Sequence, residues 1–218
     1  MTFVKICGIK TEKDLKIVLG SGVDAVGFIV EVPVATPRKI DRRTASALVE
    51  SVPEGVLAVS VLMPGSVDEA VAILDLVKPD AVQIHNEMDP GALRELKERT
   101  GLSLIKVIGV SEGMSLDAVL SEVDALSGLA DFILLDTKTS GQSGGTGKVH
   151  DWGISAEICR RSPIPVILAG GLNHTNVEDA IRSVKPYGVD TASGVETESI
   201  KDPDKVKKFV DAAKRSSS

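Results

Sequence analysis

The stretch DAVQIHNEMDPGALRELKERTGLSLIKVIGV (80–110) sets two β-branched apolar runs, DAVQIH and SLIKVIGV, on either side of a segment with helical spacing. The helical segment, DPGALRELKER, opens with a helix-start signal. A strand, a helix and a strand in so short a span read as parallel neighbours, because parallel strands need a crossover and a helix supplies it. The same unit recurs in both directions along the chain. Further strand-like runs are FVKIC (3–7), DAVGFIV (24–30), VLAVSV (56–61), DFILLD (131–136), PVILAG (165–170) and GVDTAS (188–193). Between and after them lie TEKDLKIVLG, with a Thr11-to-Asp14 start signal, DRRTASALVE, SVDEAVAILDLV, SLDAVLSEV, DWGISAEICRR, NHTNVEDAIRSV and DPDKVKKFVDAAK. Strict β-α alternation predicts parallel strands covered by helices. Eight such units within 218 residues predict an α/β fold of one domain, 1–218, a (β/α)8 TIM barrel rather than an open five- or six-stranded sheet, with 213–218 as a frayed polar tail.

Composition narrows the function classes. A hydrophobic content of 43% in a chain of this length supports a large core. The net charge of −6 lacks the basic footprint that nucleic acid or an anionic membrane requires. Aromatic residues make up 3%, too few for base-stacking platforms. With no basic leader and no membrane-length apolar run, a cytoplasmic protein is expected. Cys7 and Cys159 read as a reduced pair, and His85, His150 and His174 have no zinc-ligand spacing, so no metal is expected. Two glycine patterns fail as nucleotide motifs. GSGVDA (20–25) ends a helix and precedes a strand, and SGGTGKV carries Val149 where a magnesium-binding hydroxyl belongs.

In a barrel of this kind chemistry sits at the C-terminal ends of the strands, with phosphate commonly held after strands seven and eight. The strand tips present Cys7 and Gly8, then Arg38 in EVPVATPRKI, Gln83 and His85, Asp136, Gly170 and Gly171, and Ser193 and Gly194. Each has a plainer explanation. Free cysteine is commonly a small buried hydrophobe. Arg38 could be a solvated arginine, His85 with Asn86 a loop pair, the paired glycines a turn, and Ser193 a cap. Asp136 is poorly placed to cap a helix, since TKTSGQSGGTGKVH intervenes before DWGISAEI. Six such features at one end of one barrel point to a site.

KICGIK (5–10), PR (37–38), VQIH (82–85), LLDT (134–137), GGTG (144–147) followed by DW, LAGGLN (168–173) and PYGVDTASGVE (186–196) resemble phosphoribosylanthranilate isomerase of tryptophan biosynthesis along the whole chain. EVPVATPRKI departs from the family's aromatic-containing stretch there. The resemblance implies an Amadori rearrangement of N-(5-phosphoribosyl)anthranilate, a small-molecule phosphoribosyl substrate, without metal or organic cofactor. It implies Asp136 as general acid and Cys7 as general base, chemistry for which both residue types are suited. Gly170, Gly171, Ser193 and Gly194 are expected to hold phosphate through backbone amides and a short helix N-terminus. Arg38 is expected on the anthranilate carboxylate, with Gln83 and His85 on substrate, and Gly144, Gly145, Thr146 and Gly147 as a closing loop.

Other readings remain open at this point. A Schiff-base aldolase would use Lys106 or Lys5. A non-catalytic phosphosugar-binding barrel would keep the glycines but lack an acid/base pair. A sister isomerase of histidine biosynthesis would carry an aspartate where Cys7 stands, and a bifunctional enzyme shares the same chemistry. The chain is expected to be a monomer or homodimer. Lys5, of the same strand parity as Cys7, is expected to point into the barrel and pair with Asp190.

Overall fold

The computed structural model describes residues 1–111, 113–139, 142–143 and 152–216. Eight parallel strands form its frame: β1 (Phe3–Cys7), β2 (Ala25–Val30), β3 (Leu57–Leu62), β4 (Ala81–Ile84), β5 (Ser103–Val110), β6 (Phe132–Thr139), β7 (Val166–Leu168) and β8 (Gly188–Thr191). Each pairs with the next, and β1 closes the ring by pairing with both β8 and β2. Outside lie α1 (Glu12–Leu19), α2 (Arg42–Glu50), α3 (Val67–Val77), α4 (Pro90–Thr100), α5 (Leu116–Ala125), α6 (Trp152–Arg161), α7 (Val177–Val184) and α8 (Pro203–Arg215). This is the (β/α)8 barrel that the alternation predicted.

Strand parity divides the core in two. Ala25, Val59, Ala81, Ile105, Val107, Leu134, Ile167 and Ala169 fill the barrel interior, while the alternate positions join the larger layer between strands and helices. The helices begin where polar side chains satisfy free amides. Thr11 caps Asp14 N at 3.1 Å, and Asp89 takes Gly91 N and Ala92 N with Pro90 in the first turn.

The lower, N-terminal end is closed by apolar and structural contacts. The rings of Phe3, Phe132 and Tyr187 meet with centroids 5.4–6.4 Å apart. Asp24, Asp80 and Asp131 each stand just before an even-numbered strand and take an amide of the strand before it. The pairs are Val4 N to Asp24 at 2.7 Å, Ala58 N to Asp80 at 2.8 Å and Leu104 N to Asp131 at 2.8 Å. These amides would otherwise be orphaned donors at a strand start.

Three details depart from the sequence reading. The tail expected to fray from residue 213 is helical through Arg215, because Ala213 is fully buried and Lys214 pairs with Asp24. A two-residue strand, Lys39–Ile40, adds to β2, and Glu196–Thr197 pairs with Ile200–Lys201 in a hairpin turning through Glu198 (φ 51°) and Ser199 (φ 62°). Segments of two residues show no periodicity to detect. The expected closing loop, Gly144–Gly147, lies outside the described residues. Among the described residues no helix is long and apolar enough to cross a membrane.

Candidate active site

The upper ends of the strands enclose a cavity of about 460 Å³ lined by Cys7, Arg38, Gln83, His85, Asp136, Gly170, Gly171, Asp190, Thr191 and Ser193, among others. All the expected site residues among the described ones, except Gly194, are therefore brought together. Gly194 serves a packing role: a Cβ there would collide with the Leu172 carbonyl oxygen. Gly170 and Gly171 take positive φ (84° and 68°), and a Cβ at 170 would run into Thr137. Ser193 opens a one-turn 3-10 helix, Ser193–Val195, close to the short helix expected after the last strand.

Cys7 is 5% exposed and ends β1 opposite Gly27 of β2. A Cβ at Gly27 would come 2.8 Å from Cys7 Sγ, so this glycine, not marked by the sequence reading, gives the thiol its seat. Burial pushes the Cys7 thiol up from its ordinary value, and the charges of Lys5 and Lys201 pull it back only in part. Lys5 behaves as expected from parity. It is fully buried, and its Nζ donates to Asp190 Oδ1 at 3.0 Å. Burial alone would depress Lys5, but the charge of Asp190, joined by that of Cys7, holds it above its ordinary value.

Asp136, near the end of β6, has the parity of Leu134 and faces the mouth. Its Oδ1 accepts the Thr137 amide at 2.8 Å, and Oδ2 lies 3.7 Å from His85 Nε2, beyond hydrogen-bonding range. Gln83 is 2% exposed, yet its Oε1 has no hydrogen-bond partner among the described residues, and neither does His85 Nδ1. Buried polar atoms without partners on a cavity wall are groups that a ligand can satisfy.

Arg38 reaches the mouth from the loop after β2. Its Nε and Nη2 form a fork on Glu196, with bonds of 2.9, 3.0 and 2.6 Å. Glu196 also accepts from Lys201 Nζ at 2.7 Å, and Lys201 donates further to the carbonyls of Cys7 (2.6 Å) and Ala192 (3.1 Å). Burial would raise Glu196, but Arg38 and Lys201 together hold it below the usual carboxylate range. Lys201 is pulled down by burial more than Glu196 lifts it. Glu196 stood inside the quoted SGVE motif, but nothing local marks it as Arg38's partner, and Lys201 carried no signal at all.

Lys106 has the parity of Leu104 and Ile108, which pack toward the helices, and its Nζ donates to the Val107 carbonyl at 2.7 Å. It does not line the cavity. Lys5 is engaged in its ion pair, so neither lysine is placed for Schiff-base chemistry.

A model of the N-(5'phosphoribosyl)anthranilate (PRA) isomerase family matches residues 4–212. The N-(5'-phosphoribosyl)anthranilate isomerase of Methanosarcina acetivorans is 46% identical to the chain over 96% of it and 92% of the relative. The solved phosphoribosyl anthranilate isomerase of Thermotoga maritima superposes with a TM-score of 0.86 at 36% identity, covering 99% of this chain and 100% of that one. A further solved phosphoribosyl anthranilate isomerase, in complex with reduced 1-(o-carboxyphenylamino)-1-deoxyribulose 5-phosphate, superposes with a TM-score of 0.82 at 32% identity, covering 99% and 100%.

Proposed function

The chain belongs to the N-(5'-phosphoribosyl)anthranilate isomerase family and is an isomerase of tryptophan biosynthesis; from that premise we propose how its barrel mouth carries out the reaction. Asp136 protonates the furanose ring oxygen, so that the C1–O bond breaks and the ring opens to a Schiff base. Cys7, as thiolate, takes the C2 proton, and the electron pair flows into the imine to give an enolamine. Protonation at C1 and loss of the enol proton then give the ketose. The substrate's own imine is the electron sink.

The single observation that best supports this reading is the meeting, in one cavity, of a thiol on β1 and a carboxylate on β6, with paired glycines after β7 and Ser193 after β8. The strands bearing the acid and the base are not neighbours in the ring, which fits proton transfers to two different atoms of one substrate. Amides at Gly170–Gly171 and Ser193 are suited to the phosphate, as in other barrels of this architecture. Arg38 is suited to the anthranilate carboxylate because a planar guanidinium matches two oxygens at once. Gln83 Oε1 and His85 Nδ1 are left to the sugar and bridging amine.

Burial raises Cys7, so the thiol gives its proton to solvent in the cavity before the thiolate acts as base. Lys5 and Lys201 are the two positive charges that lower the cost of its ionised form. The direct test is fluorescence loss of phosphoribosylanthranilate, generated in situ, on addition of the purified protein. Turnover supports the reading, and none removes it.

A further inference from the structure

Apart from the charge of Lys201 near Cys7, the acid–base scheme makes no use of the Arg38–Glu196–Lys201 cluster, although it joins three of the segments that build the mouth. Arg38 comes from the loop after β2, Glu196 from the hairpin after β8, and Lys201 reaches the backbone of Cys7 at the tip of β1. Glu196 is 8% exposed and Lys201 2%. Arg38 carries three of its contacts with Glu196 through Nε and Nη2, so one edge of the guanidinium is fixed in place by a partner 158 residues away.

We propose that Glu196, itself anchored by Lys201, is the positioning residue that holds Arg38 ready for the carboxylate of the substrate's aryl ring. The proposal rests on the assignment of Arg38 to that carboxylate and deepens it. An arginine free in a loop would have to be ordered on each binding event, and that ordering would be drawn from the binding energy. Here the side chain is ordered before the ligand arrives. Lys201 offsets the negative charge of Glu196, so that the three groups together still present one net positive charge to an incoming anion. Because Lys201 also grips the Cys7 carbonyl, the same ion pair fixes the distance between the carboxylate-binding end of the pocket and the base.

A purely electrostatic role and a positioning role predict different results for two substitutions. Glu196→Gln removes a negative charge near the pocket, which by charge alone would tighten binding of an anion. Glu196→Asp keeps the charge but shortens the reach by one methylene, which by charge alone would change nothing. Positioning predicts that both weaken it.

The readout is the ratio of dissociation constants for two probes, the reduced carboxyphenylamino deoxyribulose phosphate and the same compound without its carboxylate. In the unaltered protein the carboxylate probe binds more tightly, and Arg38→Ala collapses the ratio toward one. Glu196→Asp and Glu196→Gln each reduce the ratio roughly tenfold with the carboxylate-free probe unaffected, as expected for one misplaced charge-assisted contact. Arg38→Ala/Glu196→Asp loses no more than Arg38→Ala alone. A general loss of folding would weaken both probes together and leave the ratio intact. An unchanged ratio in both Glu196 variants, with Arg38→Ala still collapsing it, overturns the positioning role alone. An unchanged ratio in Arg38→Ala overturns the assignment of Arg38 and the positioning role with it.

Discussion

The two ends of the barrel hold the same residue type in opposite employment. At the closed lower end, Asp24, Asp80 and Asp131 are spent on backbone amides at strand starts, with Lys214 and Lys97 as further partners of the first and last. At the open upper end, Asp136 accepts, among the described residues, the amide of the next residue and turns its other oxygen toward a cavity, 3.7 Å from His85. In sequence the four look alike, since each stands beside a β-branched or apolar run. What separates them is which end of a strand they occupy. A carboxylate before a strand meets unpaired N–H groups, and one near its C-terminal tip faces the end where active sites of this architecture lie.

That contrast is open to direct challenge. The largest effect is expected at the upper end, where Asp136→Asn and Cys7→Ser each lower kcat by at least about 10²–10⁴ while the melting temperature stays put. A Cys7→Ala enzyme with near-normal turnover would reduce the thiol to packing. Arg38→Ala is next, with a KM rise of roughly ten- to a hundredfold from the loss of a charge-assisted bond of about 1.5–3 kcal/mol.

The lower end should respond in the opposite way. Asp131→Ala strands Leu104 N and leaves Lys97 with only the Leu129 carbonyl among the described residues, and a loss of about 1–3 kcal/mol is expected for the orphaned amide. In a chain of this size that corresponds to roughly 2–12 °C in melting temperature, read by calorimetry, with kcat of the folded enzyme unchanged. Loss of turnover without loss of stability in Asp131→Ala would break the comparison.

The smallest expected effect concerns Glu196 and acid. Its folded pKa lies below the ordinary 4.5, so its stabilisation is complete above that value and is lost as pH falls through the folded one. Urea unfolding of the unaltered protein and of Glu196→Gln should therefore differ at pH 6 and converge toward pH 3. A constant difference across that range would mean that the carboxylate's charge adds nothing to the folded state.

Much of the site was legible because its residues sit where periodic runs end. Cys7, Gln83, His85, Asp136 and the Gly170–Gly171 pair are marked by strand endings, and the Lys5–Asp190 pair follows from parity once β1 and β8 are adjacent. Gly194 shows a second demand that no local pattern reveals, since its missing Cβ makes room for the Leu172 carbonyl whatever its amide binds. Cys159 is the more exposed of the two cysteines, though burial still pushes it up to about 12. The hairpin carrying Glu196 and Lys201 was missed, since strands of two residues have no period.

The sequence by itself determined the alternation of strands and helices, hence the barrel, and which residues stand at the ends of its strands. These depend on contiguous residues, whose spacing decides which face is buried. Only the tertiary structure decided that Arg38 is held by Glu196, that Lys201 ties this pair to the Cys7 backbone, and that the thiol is driven up by its surroundings. Those properties arise from desolvation and from charges brought within bonding distance across 158 and 194 residues of chain, and no local pattern encodes which distant group will arrive.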